Sequence, residues 1–216
     1  MAQPLAPTGT LRASINLGNP VLAQGTPEEP RGITVALARA LADQLGVPLE
    51  LLCFTAARDS FAALVDGRAD VGFLAIEPAR EAEVAFTEPY VVIEGCYVVA
   101  DGSTYRAPDD VDRPGIRIGV KLGSAYDLFL TRSLQHAELV RGDEGVDVYV
   151  EHGLEAGAGI RQSAEAWVAA HPGHRLVEPR FMEIRQAMAT PHRGAVDELA
   201  AFVAERIASG WVAERL

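Results

Sequence analysis

The chain has 216 residues, of which 49% are hydrophobic and 23% are charged, proportions that are ordinary for a globular protein. Its net charge of -11, with no run of lysine or arginine, argues against nucleic acid and anionic membranes as partners, because both attract basic patches. No apolar stretch is long enough to cross a bilayer, so we expect a protein that does not span a membrane.

The N-terminal residues, MAQPLAPTGT, have neither the basic region nor the apolar segment of a signal peptide. We therefore expect either that an export signal was removed or that the protein stays in the cytoplasm. The two cysteines, Cys53 and Cys96, lack the spacing of a metal site, so we predict no bound metal. Two free buried thiols are expected, with a disulfide as an alternative only in an exported protein.

Hydrophobic periodicity predicts alternating strands and helices in the first hundred residues. The predicted elements are a strand over 10–16, a helix over 33–45 stopped by Gly46, a strand over 49–54, a helix capped by Asp59 and ended by Gly67, and strands over 71–76 and 95–100. This βαβαβ order predicts a mostly parallel sheet that is flanked by helices.

After a polar loop over 101–115 the pattern of strands and helices starts again. The predicted elements are strands over 116–120, 139–140 and 156–160, helices over 124–134, 146–151, 163–170 and 196–209, and an apolar segment over 181–189. The restart and the late return predict an α/β protein of two lobes joined by two crossings. Residues 1–94 with 185–216 would form the first lobe, and residues 95–184 the second.

The most informative segment follows the strand over 71–76. Arg80 lies just past the strand, and the sequence Phe-Thr-Glu-Pro-Tyr follows at 86–90. This arrangement resembles the type 2 periplasmic solute-binding proteins, in particular family 3, whose members bind amino acids for ABC transporters. In that family the arginine clamps the carboxylate of the ligand, because a guanidinium offers two parallel N–H donors to a planar carboxylate.

The resemblance also covers the segments at 9–12, 31–35 and 119–124. It implies a two-lobed periplasmic-binding-protein-like fold of type II, which binds a small carboxylate-bearing solute between its lobes by hinge closure. It further implies no cofactor, an ABC permease as a partner, a monomeric state and a periplasmic location. A cytoplasmic location is the alternative if Met1 is the native start.

Arg80 and the start of the helix at Ser124 are the first candidates for contacts with the ligand. The alternative for Arg80 is a surface arginine paired with a nearby glutamate. The family uses the glycine turn before Ser124 and the following helix N-terminus to hold the same carboxylate, since N–H groups there lack partners. Ala125 stands where relatives often have threonine, so its backbone N–H would contribute more. An ordinary N-cap is the alternative for Ser124.

Asn16 and Asn19 flank the end of the first strand. Many relatives have a ligand-stacking aromatic residue at about the position of Asn19. An asparagine cannot stack in this way, so Asn19 would either hydrogen-bond to the ligand or serve the Asn-Pro turn. Tyr126 is a further candidate neighbour of the ligand, with a place in the core as its alternative.

The largest departure from the family concerns the ammonium group of an amino acid. The aspartate that pairs with it in relatives falls at Ile160, beside Arg161, and the segment from Asp70 to Arg80 is also about two residues shorter. Glu94 could take over the pairing, or could form a hinge salt bridge instead. Neither Ile160 nor Arg161 can balance an ammonium group, so the sequence argues against a standard α-amino acid. A carboxylate-bearing small molecule, with a second anionic group facing Arg161, fits these residues better.

Two other functions remain open at this stage. A dehydratase that acts on prephenate or arogenate is known on the same fold, and a cytoplasmic ligand sensor is also compatible with the sequence. Such an enzyme needs a general acid, for which the candidates are Glu77, Glu88, Glu94 and His152. None of them lies in a recognisable catalytic motif, so we expect a binding protein and no catalytic residues.

Overall fold

A computed structural model describes residues 3–216, and the first two residues of the N-terminal segment considered above lie outside that range. The described chain divides into two compact units. The first contains the residues up to Val91 together with Arg185–Leu216, and the second contains Val92–Ile184. No helix within residues 3–216 is both long and apolar enough to cross a membrane.

The elements alternate along the chain much as predicted. The first unit begins with β1 (Leu11–Asn16), β2 (Gln24–Gly25), β3 (Pro30–Arg31), α1 (Ile33–Leu45), β4 (Leu49–Phe54), α2 (Ala57–Val65), β5 (Val71–Ala75) and α3 (Pro78–Glu81). Strand β6 (Ala85–Ala100) leads into the second unit, which continues with β7 (Arg117–Lys121), α4 (Ala125–Ser133), β8 (Glu138–Gly142), α5 (Gly145–Glu151), β9 (Ala156–Ile160) and α6 (Arg161–Ala170). Strand β10 (His174–Thr190) returns to the first unit, where α7 (Val196–Ala208) follows. Single 3-10 turns lie at Pro108–Asp110, Arg193–Ala195 and Ala213–Arg215.

The first unit contains a sheet with the strand order β4-β1-β5-β10-β6. Strand β1 is parallel to both β4 and β5, whereas β10 is antiparallel to β5. Helix α1 buries the apolar face that the sequence predicts, and Gly46 ends it in the left-handed conformation with φ of 68°. The predicted parallel α/β arrangement is therefore confirmed in this unit.

In the second unit the strand order is β6-β9-β7-β8. Strand β7 is parallel to β8 and to β9, and β6 is antiparallel to β9. Helix α5 packs closely over β7 and β9 because three glycines remove the side chains that would separate them. A Cβ atom at Gly145 would collide with the carbonyl oxygen of Ala158, and one at Gly119 would collide with that of Gly145. Gly157 likewise faces the Cβ of Tyr149.

An arginine and a carboxylate join the start of β1 to the start of β5. The backbone N–H and Nε of Arg12 donate to Oδ2 of Asp70 at 3.0 and 2.9 Å, and Nη2 donates to Oδ1 at 2.7 Å. Nε2 of His192 lies 3.2 Å from the same Oδ1. Burial alone would raise the pKa of Asp70, but the hydrogen bonds from Arg12 and His192 outweigh it and hold the pKa below its ordinary value.

The second unit repeats this construction at the start of β7 and β9. The backbone N–H and Nε of Arg117 donate to Oε2 of Glu155 at 2.8 and 2.9 Å, and Nη2 donates to Oε1 at 2.8 Å. Each guanidinium also donates to the backbone carbonyl of a glycine that precedes the carboxylate in the sequence. Arg12 donates to Gly67, and Arg117 donates to Gly153. The bonds from Arg117 lower the pKa of Glu155. The amino-acid sequence shows no repeat, yet the two units use the same device.

Two local predictions are wrong. Asp59 was expected to cap the second helix, but Ala56 is the N-cap residue and Asp59 lies in the first turn, where its charge favours the helix dipole. The Phe-Thr-Glu-Pro-Tyr segment was expected to precede a strand at 95–100, but it is itself part of β6.

The cysteines are both free, although Cys53 is only half-buried, and burial raises the pKa of Cys96 to about 12.

Candidate functional site

The candidate residues of the first unit follow the carboxyl ends of neighbouring parallel strands. Strand β1 ends at Asn16 and β5 ends at Ala75, and the two strands are paired in parallel. The turn with Asn16 and Asn19 and the segment with Arg80 therefore lie at the same edge of one sheet. This edge is where open α/β sheets commonly bind ligands.

Arg80 is buried on the short helix α3, with only 3% of its surface exposed. Its Nη1 donates to the carbonyl of Ala75 at 3.1 Å, which holds the guanidinium against the end of β5. Burial lowers the pKa of Arg80 to about 10, and the negative charge of Glu77 opposes that effect. The alternative of a surface arginine is wrong, whereas its role as a carboxylate clamp stays a prediction.

Glu77 is a residue that sequence reasoning treated only as a surface partner of Arg80 or as a general acid. It is the N-cap residue of α3, and only 2% of its surface is exposed. Carboxylates are rarely buried this completely unless they have a charged partner. The spacing Glu-Pro-Ala-Arg, with proline at the first helical position, is the signal that places Glu77 and Arg80 on the same turn.

Asn16 and Asn19 have different environments in the turn after β1. Oδ1 of Asn16 accepts a hydrogen bond from the backbone N–H of Gly18 at 3.0 Å, so this side chain closes the turn. Asn19 has only 6% of its surface exposed, and its Oδ1 has no hydrogen-bond partner among residues 3–216. Contact of either residue with a ligand stays a prediction.

Three candidates of the second unit, Ser124, Ala125 and Tyr126, lie at the start of α4. Ser124 is the N-cap residue, and its hydroxyl accepts a hydrogen bond from the N–H of Asp127 at 3.0 Å. Oδ2 of Asp127 in turn accepts from the N–H of Gly123 at 2.8 Å. Tyr126 is buried, which raises the pKa of its hydroxyl, and Ala125 is also buried. The N-cap alternative for Ser124 is thus correct, and it does not conflict with a ligand role.

Lys121 was not among the predicted site residues. It is the single lysine of the chain, it lies at the end of β7, and its ammonium group forms an ion pair with Glu144. The side chain of Lys121 is largely buried, whereas that of Glu144 is exposed. Its position within Gly-Val-Lys-Leu-Gly-Ser, directly before the helix N-terminus, is the signal that could have identified it.

Glu94 and Arg161 contact each other in the second unit. The guanidinium of Arg161 binds Glu94 and also makes a two-pronged contact with Glu178, at 2.7 and 2.8 Å. The hydrogen bonds that Arg161 donates, first to Glu178 and then to Glu94, raise the pKa of its guanidinium. Arg180 donates to the other oxygen of Glu94 at 3.2 Å. Glu94 therefore forms salt bridges, as the alternative reading of the sequence expects. Contact of Glu94 or Arg161 with a ligand stays a prediction.

The candidates for a general acid are not brought together. The side chain of Glu88 is 87% exposed and lies 3.8 Å from Arg185, and His152 is also exposed. The carboxylate of Glu94 forms ion pairs with Arg161 and Arg180. Of the four candidate acids, Glu77 alone is buried. Within the described part of the chain, no three His, Cys, Asp or Glu side chains lie close enough to hold a metal ion.

Solved structures show the same fold. The arginine-bound amino acid ABC transporter substrate-binding protein AbpA from Streptococcus pneumoniae has a TM-score of 0.77 and 19% identity, covering 96% of this chain and 93% of AbpA. The holo form of ArgBP from T. maritima has a TM-score of 0.73 and 22% identity, covering 94% of this chain and 90% of ArgBP. These likenesses confirm the predicted two-lobed periplasmic-binding-protein-like fold.

A third solved structure is related to an enzyme. The ancestral amino acid-binding protein AncCDT-1, a precursor of cyclohexadienyl dehydratase, has a TM-score of 0.78 and 19% identity, covering 96% of this chain and 93% of AncCDT-1. At this identity the likeness shows the fold alone.

No curated protein matches the chain at a significant level. The family model for bacterial extracellular solute-binding proteins, family 3, however, matches residues 15–215. That match includes both units and every candidate residue described above, and it agrees with the predicted resemblance. The chain therefore belongs to the bacterial extracellular solute-binding proteins of family 3.

Proposed function

We propose that this chain is the substrate-binding component of an ABC-type transporter and that it binds a small carboxylate-bearing solute, an amino acid or a related organic acid. The observation that carries the proposal is the guanidinium of Arg80, buried at the carboxyl edge of the sheet in the first unit. Burying a cation is costly, and this cost falls when an anion binds beside it.

The lowered pKa of Arg80 supports this proposal. Burial lowers this pKa in spite of the negative charge of Glu77, and the carboxylate of a ligand would act in the same direction as Glu77. A carboxylate is the ligand group that matches a guanidinium in both charge and planar geometry. Lysine would satisfy the charge but not the paired hydrogen bonds.

In the second unit, the start of α4 supplies the other half of the proposed recognition. The Ser124 hydroxyl and the N–H of Ala125 are groups of the kind that hold a carboxylate at a helix N-terminus. A ligand that is contacted by both units would favour the closed arrangement, which is the hinge mechanism that the family resemblance implies. We further propose an extracytoplasmic location and an ABC permease as the partner that receives the solute.

A binding role is favoured over the dehydratase alternative. The enzyme would need a general acid near the leaving group. Glu88 and His152 are exposed, Glu94 is paired with two arginines, and the buried Glu77 lies beside the guanidinium of Arg80. The described AncCDT-1 structure belongs to an amino acid-binding protein, so its likeness to this chain is compatible with binding.

The Arg80 clamp can be tested by calorimetry and thermal shift. The wild-type chain would be titrated with L-arginine, L-lysine, L-glutamine, L-glutamate, glutarate and hexanoate. We expect at least one carboxylate to bind, and Arg80→Lys to weaken its binding about tenfold to a hundredfold because the paired hydrogen bonds are lost. Arg39→Ala, which removes an exposed arginine of α1, is the matched control and should leave binding unchanged.

Arg80→Ala is the stronger variant, but it leaves the buried carboxylate of Glu77 without its neighbouring cation and is expected to destabilise the fold. Arg80→Lys keeps a positive charge and therefore separates loss of binding from loss of folding. Carboxylate binding that is equally tight in wild type, Arg80→Lys and folded Arg80→Ala would refute the clamp. Turnover of prephenate by the wild-type chain would favour the enzyme instead.

A further inference from the structure

A buried carboxylate lies in the first turn of α4, where the second unit provides its half of the proposed recognition. Only 3% of the surface of Asp127 is exposed, and this residue occupies the third position of the helix. Its Oδ2 accepts a hydrogen bond from the N–H of Gly123 at 2.8 Å, and its own N–H donates to the hydroxyl of Ser124. Asp127 therefore fixes the turn that leads into the helix.

Two N–H groups of this turn remain for a ligand. The N–H of Ser124 donates to the carbonyl of Lys121, and the N–H of Leu128 donates to the carbonyl of Ser124 as the first helical hydrogen bond. The N–H groups of Ala125 and Tyr126 have no hydrogen-bond acceptor within residues 3–216, although both residues are buried. Unpaired N–H groups at the start of a helix favour an anion.

The negative charge of Asp127 would oppose an anion at this turn unless another group compensates it, because like charges repel strongly where water is scarce. Nε of Arg141 donates to Oδ1 of Asp127 at 2.9 Å, and its Nη2 donates to the hydroxyl of Thr131 at 2.8 Å. That hydroxyl in turn donates to the backbone carbonyl of Asp127 at 2.7 Å. Arg141 therefore neutralises Asp127 and is itself held by α4.

The sheet of the second unit brings Arg141 to this position. Strand β8 is parallel to β7, and Arg141 is opposite Val120, one residue before the end of β7. The turn into α4 follows the end of β7, so the guanidinium and the start of the helix lie at the same edge of the sheet. The side chain of Arg141 is 38% exposed, whereas that of Asp127 is 5% exposed. Arg141 can therefore be replaced without opening the core.

We propose that Arg141 is a positioning residue of the solute site, which enables the start of α4 to bind an anion by neutralising Asp127 and holding its carboxylate against the turn. Asp127 supplies the geometry of the turn, and Arg141 removes the repulsion that a second carboxylate would otherwise meet there. Arg141 acts through Asp127 and not through contact with the solute. This inference rests on the proposed carboxylate-binding function and adds to it a residue that controls affinity from β8.

A purely structural ion pair is the alternative, and the two interpretations predict different orders of affinity. If the pair only stabilises α4, removing both partners should harm binding at least as much as removing one. If charge compensation matters, affinity should follow the summed charge of the two side chains. That sum is neutral in wild type, negative in Arg141→Met, neutral again in the double variant Arg141→Met/Asp127→Asn, and positive in Asp127→Asn. Asparagine keeps an oxygen that can accept from Gly123, so the turn is retained.

Calorimetry would measure this order. The probe is the carboxylate that binds the wild-type chain most tightly among L-arginine, L-lysine, L-glutamine, L-glutamate, glutarate and hexanoate. We expect Arg141→Met to weaken its binding about tenfold, and the double variant to recover to within about threefold of wild type. Asp127→Asn should bind at least as tightly as wild type. Arg141→Lys keeps the positive charge and should lose less affinity than Arg141→Met.

Arg117→Met is the matched control. It breaks the other arginine–carboxylate pair described for the second unit, which joins Arg117 to Glu155 at the start of β7, away from the turn into α4. We expect this variant to lower the melting temperature and to leave the affinity unchanged. Circular dichroism and thermal unfolding of each variant would establish that binding is measured on folded protein.

The outcomes separate the two proposals. If no carboxylate binds the wild-type chain, or if Arg80→Lys has no effect, the proposed function fails and this inference fails with it. If binding depends on Arg80 but is unchanged in Arg141→Met, only the inference is overturned. A double variant that binds more weakly than Arg141→Met, or an Asp127→Asn variant that binds more weakly than wild type, would have the same meaning, since the pair would then act through structure alone.

Discussion

Replacement of Asp70 by asparagine is expected to lower the free energy of unfolding by about 3 kcal/mol at neutral pH, since breaking a buried ion pair costs roughly 3–5 kcal/mol. Asp70 is completely buried and accepts three hydrogen bonds from Arg12. An amide of the same size can accept some of these bonds, but it cannot neutralise the guanidinium. The lower end of the range applies because Arg12 keeps some contact with solvent. Urea unfolding followed by circular dichroism would measure the loss.

The repeated construction in the second unit provides a matched control. Glu155→Gln makes the same chemical change in the pair with Arg117, but the side chain of Glu155 is 28% exposed. Partly solvated pairs contribute less, so we expect a loss of about 1 kcal/mol. Equal losses at the two positions would contradict the view that burial gives the Asp70 pair its larger effect.

The stability difference between wild type and Asp70→Asn should depend on pH in a defined direction. The native pKa of Asp70 lies below its ordinary value, so its ionised form stabilises the fold above the unfolded-state pKa of about 3.9. This contribution is lost as the pH falls through the native pKa. We therefore expect the difference in unfolding free energy to shrink as the pH falls below about 4. A difference that grows on acidification would contradict this assignment.

Gly145→Ala is expected to destabilise the second unit by about 3 kcal/mol, the upper part of the range for overpacking. The added methyl group would collide with the carbonyl of Ala158, and it would lie 2.8 Å from the carbonyl of Gly119 and 3.0 Å from Cα of Val120. All three neighbours are backbone atoms of the central strands, so they cannot move aside as a flexible side chain can. The intrinsic preference of helices for alanine, at most about 1 kcal/mol, does not offset the collision.

Gly102→Ala is the control for this substitution, because a Cβ atom there meets no other atom within 4 Å and the residue has no positive φ. We expect its unfolding free energy to remain within about 0.5 kcal/mol of wild type, as for other exposed substitutions. Thermal unfolding of both variants would make the comparison. A Gly145→Ala protein as stable as Gly102→Ala would show that α5 can shift away from the sheet.

Much of the fold follows from the sequence because the signals are local. Helix α1 was predicted at its observed bounds, since its apolar spacing and Gly46 specify both its buried face and its end. Strand β9 was predicted in spite of two glycines. The structure shows that Gly157 is required there, because Tyr149 occupies the space of a side chain. That packing depends on a residue of another element, and no local pattern reveals it.

The site was predicted less completely because burial and pairing arise only in three dimensions. The motif identified Arg80, but it did not show that Glu77 is buried beside it. The sequence left two roles open for Asn19, and the structure shows that the turn bonds are made by the side chain of Asn16 and by backbone groups. Glu94 and Arg161 were each predicted from their neighbours in the sequence. Their contact with each other depends on the pairing of β6 with β9, which sequence periodicity does not specify.

The Arg12–Asp70 pair lies where β1 and β5 begin, whereas Asn19 and Arg80 lie beyond their other ends. The stabilising charges and the candidate recognition groups of the first unit are thus separated by the length of the sheet. Substitutions of distant, independent positions have additive effects on stability. A lineage could therefore exchange its solute by altering residues at the carboxyl edge while the ion pair at the opposite edge maintains the fold. A library randomised at positions 16 and 19 would be a practical route to new ligand preferences on this scaffold.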